Sequence, residues 1–74
     1  MKEFMMMGLR LVKLGVSNTR FRESFGKSIL DVFADPIKRL LANGLLECFG
    51  EEKQDYRLSK LGVMLGNQVF MEFI

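Results

Sequence analysis

Met5, Met6 and Met7 stand in a row, Cys48 is the one thiol of the chain, and there is no histidine. Thioethers and thiolates are soft ligands, suited to haem iron, copper or an iron–sulfur cluster, so these residues are the first place to look for chemistry. Geometry argues against the methionines. Successive helical residues point roughly 100° apart, so three in a row cannot converge on one ion. They are read as adaptable packing groups. Cys48 falls in an expected strand beside Phe49, with no adjacent base to make it a thiolate, and is read as a small structural or half-exposed side chain. Without histidine the chain lacks the commonest general base and the commonest zinc ligand.

The charged clusters are no more specific. Glu51, Glu52 and Asp55 miss the alternating spacing of a calcium loop and have Lys53 among them, so they are read as a solvated hairpin tip. Arg20, Arg22 and Lys27, with Lys38 and Arg39, are candidates for a basic face toward DNA phosphates or porphyrin propionates. Short clusters of this kind are usually the wet side of a helix. Arg10 interrupts an otherwise apolar helix, and an arginine there calls for a carboxylate or carbonyl partner, expected in a neighbouring protein body. No residue is assigned a catalytic, cofactor-binding or metal-binding role.

Around these residues lies enough chain for one small domain, residues 1–74, near the lower limit for a core without staples. Hydrophobic residues make up 49% and charged residues 27%, a globular balance. The net charge of +2, from 11 basic and 9 acidic residues, makes no case for specific nucleic-acid binding. A lone cysteine agrees with a reducing, cytoplasmic setting. Charges break every apolar run before the roughly 20 residues a membrane span needs. The opening, with an acid early and no small-residue cleavage site, makes a poor signal peptide.

The pattern predicts α+β architecture, mainly α: a winged-helix-like domain of about four helices with a two-stranded wing. The first helix is expected over 2–12, with Phe4, Met7 and Leu11 on one stripe and Met5, Leu9 and Val12 on another. A helix apolar on nearly every side is normally covered on nearly every side. A chain this short cannot do that, so a partner body or a second copy is expected on it. After Gly15, Ser17 caps a second helix carrying Phe21 and Phe25 inward and stopping at Gly26. Ser28 and Asp31 have capping-box spacing over a short turn through Phe33. Pro36 then opens another helix, ended by Asn43-Gly44. Strands are expected over 45–49 and 56–58, with the polar tip between them. Ser59 caps a last helix whose stripes are Leu61, Leu65, Val69 and Phe73, and Val63, Phe70 and Ile74.

With the elements placed, the wording itself resembles a known family. Glu3-Phe4-Met5-Met6-Met7-Gly8-Leu9-Arg10-Leu11, Gly15-Val16-Ser17, Phe21 and Phe25-Gly26 are similar to the start of the C-terminal domain of oxygen-independent coproporphyrinogen III oxidase-like proteins, the HemN C-terminal domain family. Gly44-Leu45-Leu46, Arg57-Leu58-Ser59, Gly62, Leu65, Asn67, Val69 and Glu72-Phe73 look like its end. The opening is nearer to the haem-chaperone (HemW-type) branch than to the oxidase. The stretch from Leu9-Arg10 to Gly15 is slightly longer than the family's pattern. The resemblance implies a non-catalytic accessory domain of a larger radical S-adenosylmethionine protein in haem and porphyrin biosynthesis or haem delivery. Its barrel would hold a 4Fe-4S cluster and S-adenosylmethionine, with haem a further ligand, and would pack on the first helix at Phe4, Met5, Met7, Leu9, Leu11 and Val12. This chain carries no cysteine triplet, so no cofactor and no enzymatic activity is assigned to it alone. The competing readings are a small DNA-binding winged helix and a dimerisation module. The acidic wing argues against the first.

Overall fold

Three serines open the helices where their spacing predicts. The computed structural model describes residues 1–74 as α1 (Lys2–Arg10), α2 (Asn18–Phe25), α3 (Ile29–Ala42), β1 (Leu46–Phe49), β2 (Asp55–Leu58), α4 (Lys60–Met64) and α5 (Gly66–Met71). The Ser17 hydroxyl accepts from the Arg20 N–H, and the Ser59 hydroxyl from the Gly62 N–H. Ser28 and Asp31 close a full capping box at the start of α3. Each cap satisfies amides that the first helical turn leaves without partners. Gly26 and Gly44, both at positive φ, follow α2 and α3 as left-handed stops.

The structure differs from the sequence pattern at three places. First, α1 stops at Arg10 rather than running to Val12, and residues 11–14 form a turn before Gly15. Second, the short turn at Ser28 and the helix at Pro36 are one element, bent at Phe33 (φ −120°, ψ 35°). The ring of Pro36 would collide with the Val32 carbonyl of a straight helix, so the chain tilts there instead of ending. Third, the last helix is broken at Leu65 (φ −112°, ψ 35°), which makes five helices. Gly62 and Gly66 weaken a continuous helix. The break turns Val69 and Phe73 into the core while Leu61, Val63, Met64 and Leu65 stay at the surface. The expected stripe from Leu61 through Leu65 to Val69 and Phe73 is therefore buried only in its second half.

β1 and β2 pair antiparallel in the register Leu46↔Leu58, Glu47↔Arg57, Cys48↔Tyr56 and Phe49↔Asp55. Val16 adds a bridge on the other side of β2, exchanging both backbone hydrogen bonds with Tyr56. That bridge explains Gly15. Its φ of 64° and the Tyr56 carbonyl lying against its Cα leave no room for a Cβ. The core gathers on one side of the hairpin: Met5 and Leu9 of α1, Phe21 of α2, Ile29, Phe33, Ile37 and Leu40 of α3, then Val69 and Phe73. Phe4, Phe21, Phe33 and Phe73 meet edge-to-face in sequence, with centroids 5.5, 6.2 and 5.4 Å apart, tying α1, α2, α3 and the C-terminal segment together.

Candidate functional site

The two apolar stripes of α1 have separate fates. Met5 and Leu9 are completely buried in the core, whereas Met7 and Leu11 are 68% and 55% exposed. Val12, beyond the helix end, is exposed as well. Met5 and Leu9 are therefore not available to a partner, contrary to the six-residue surface expected from the pattern. The packing that hides them is close. Gly8 lies against the Val16 side chain with no space for a Cβ, so α1 lies directly on the bridged strand.

What remains open on α1 is concave. Phe4, Met7, Leu11 and Leu14, with Phe49 from β1, line a groove of about 560 Å³. Arg20 and Asp55 also line this groove. Asp55 is engaged: one of its carboxylate oxygens accepts from the Asn18 backbone N–H at 2.9 Å. Arg20 takes part in neither of the two ion pairs, Arg39–Glu72 at 2.8 Å and Arg57–Glu47 at 3.1 Å. The groove thus combines exposed apolar side chains with one unpaired guanidinium, an arrangement suited to association.

The other sequence-level candidates do not assemble. Met5, Met6 and Met7 are buried, half-buried and exposed in turn, as three directions around a helix require. Cys48 is a free, exposed thiol on β1. It lies opposite Tyr56, whose phenol is pushed above its ordinary pKa by burial and by the nearby Cys48 and Asp55. No three of the Cys, Asp and Glu side chains come together as metal ligands. One thiol on a strand does not fit a four-iron cluster, which takes several cysteine ligands.

The basic residues are dispersed. Arg39 bonds to Glu72, which holds its proton more tightly than usual. Arg22 shares a polar recess with Glu51 and Glu52 of the wing. Arg10 lies over the Phe70 ring, 5.4 Å from its centroid, a cation–π contact within the chain.

Sequence reasoning missed Asn18. It is 6% exposed, accepts from the buried Ile29 N–H at 2.8 Å and donates to the Gln54 side chain at 3.0 Å. With the Asp55 contact, it joins the starts of α2 and α3 to the wing. An asparagine just after a serine cap looks like an ordinary first-turn surface residue, so no local signal marks it.

The sequence model of the HemN C-terminal domain matches residues 1–65. The chain is 38% identical over 73 residues to the heme chaperone HemW of Bacillus subtilis (strain 168), an alignment covering 99% of this chain and 18% of that protein. It thus spans less than a fifth of the length of the curated relative it matches. No solved structure matches it. The family's match begins with α1, includes the kinked α3 and the whole hairpin, and reaches through α4 to the Leu65 break, and on that extent the chain belongs to the HemN C-terminal domain family.

Proposed function

We propose that residues 1–74 form a winged-helix-like C-terminal accessory domain of an oxygen-independent coproporphyrinogen III oxidase-like radical S-adenosylmethionine protein. It would act in haem and porphyrin biosynthesis or haem delivery, in the cytoplasm. Family membership over residues 1–65 carries this reading. The much greater length of the relative supports it, and the 38% identity to a protein named a heme chaperone favours the chaperone branch over the oxidase. The cluster and S-adenosylmethionine belong to the larger body, and supply radical chemistry there. The part played by this chain is to dock and position, through the open side of α1. No helix is long and apolar enough to cross a membrane. DNA reading has less support, because the wing presents Glu51 and Glu52 where phosphates would lie.

A graft tests the reading. This chain replaces the matching segment of the Bacillus subtilis protein, beside a version with that segment deleted. The graft is expected to fold, to take up an iron–sulfur cluster on anaerobic reconstitution and to bind haem as the parent does, while the chain alone takes up neither stoichiometric iron nor sulfide. A graft no better than the deletion, or a cluster on the isolated chain, overturns it.

A further inference from the structure

We infer that the groove between α1 and the bridged strand seats an amphipathic segment of the larger protein body, apolar on one side and bearing a carboxylate that meets Arg20. This rests on the accessory-domain reading. Met7 and Leu14 are 68% and 71% exposed, and they share one concavity with Leu11, Phe4 and Phe49. So many open apolar groups in one recess mark an interaction site rather than ordinary surface scatter.

The charge of the recess selects the occupant. Arg20 has no ion-pair partner, and the carboxylate of Asp55 is bonded to the start of α2. A segment inserting its apolar face is thus met by a guanidinium that no side chain of this chain holds in an ion pair, and a carboxylate beside that face forms the strong, charge-assisted bond such a group favours.

Length and symmetry point to the source of the segment. The relative aligned along 99% of this chain has most of its length outside the alignment, which supplies a body large enough to offer such a segment. A second copy fits less well. In a two-fold contact the same patch meets itself, so two arginines would enter one interface whose groove carboxylates, the two Asp55, each already accept from the start of α2.

Thiol labelling decides the matter, read at each site by peptide mass spectrometry in a Cys48→Ser background. Leu14→Cys and Met64→Cys are compared in the isolated chain and in the graft. Met64, on α4, is 80% exposed and lies away from the groove lining. Leu14→Cys is expected to label about tenfold more slowly in the graft, as a site opened only by transient undocking does, and Met64→Cys equally fast in both. Adding Arg20→Glu to the graft should restore fast labelling at Leu14→Cys, and Arg20→Lys should not. Protection of Met64→Cys alone leaves the accessory-domain reading standing and overturns the groove. Equal labelling of both sites everywhere overturns the two together. Protection of Leu14→Cys in the isolated chain that grows with concentration gives the groove to a second copy, and also overturns the proposal.

Discussion

A single buried amide holds three elements of this chain in register. Asn18 accepts from the Ile29 N–H, donates to Gln54 and offers its own backbone N–H to Asp55. Truncating it strands a buried donor, and an unsatisfied buried group costs more than the net worth of its hydrogen bond. Asn18→Ala should therefore lower unfolding free energy by about 1–3 kcal/mol in urea titrations. A change below the error of the fit would show that water substitutes freely there. The residue was illegible because its partners lie 11 and 36 positions away, beyond any periodicity. Asp31, by contrast, was readable from the Ser28 spacing alone. Its carboxyl is held below the ordinary carboxylate value by hydrogen bonds from the Ser28 side chain and backbone. A group with a depressed folded-state pKa stabilises fully above its unfolded value and loses that contribution as pH falls through the folded one. Acid unfolding should accordingly be less steep in Asp31→Asn than in the parent, with the two differing most at neutral pH. Parallel profiles would contradict the capping box.

At the scale of the element, caps and stops were legible because they are local: a serine hydroxyl and an amide three residues on need nothing else. Which side of a helix is buried is decided by what arrives from elsewhere. Nothing within 2–12 shows that Met5 and Leu9 go inward while Met7 and Leu11 stay out, because that follows from Val16 and β2 lying against one side only. The break at Leu65 is of the same kind, made where the core claims Val69 and Phe73 and leaves Leu61 outside. The two sides of α1 should answer differently to mutation. Met5→Ala and Leu9→Ala remove fully buried volume and should each cost about 2–5 kcal/mol. Met7→Glu, at an exposed position, should stay within about 0.5 kcal/mol of the parent. Thermal melts at low concentration separate these outcomes. A large loss in Met7→Glu would place that side chain in the core and close the groove.

For the molecule as a whole, a Cα radius of gyration of 10.9 Å is close to the roughly 11 Å of a compact domain of this length. The family was legible because its wording is spread through the fold-making positions: the Gly15 approach, the Gly44 stop, the Ser59 cap. No catalytic wording accompanies it, so what the chain announces is its family. The hairpin beside two helices could in principle serve DNA, and charge decides how well. Of the basic residues, Arg39 and Arg57 are tied to Glu72 and Glu47, and Arg22 shares its recess with Glu51 and Glu52. A phosphate backbone approaching the wing would meet carboxylates first. Few counterions would be released, so affinity for duplex should stay weaker than about 1 μM at physiological salt, independent of sequence and shallow in its salt dependence. Titration of labelled duplexes of different sequence at two salt concentrations checks this. Tight binding to one sequence with a steep salt slope would require a broader basic face than these residues present, and would favour a regulator over the proposed docking module.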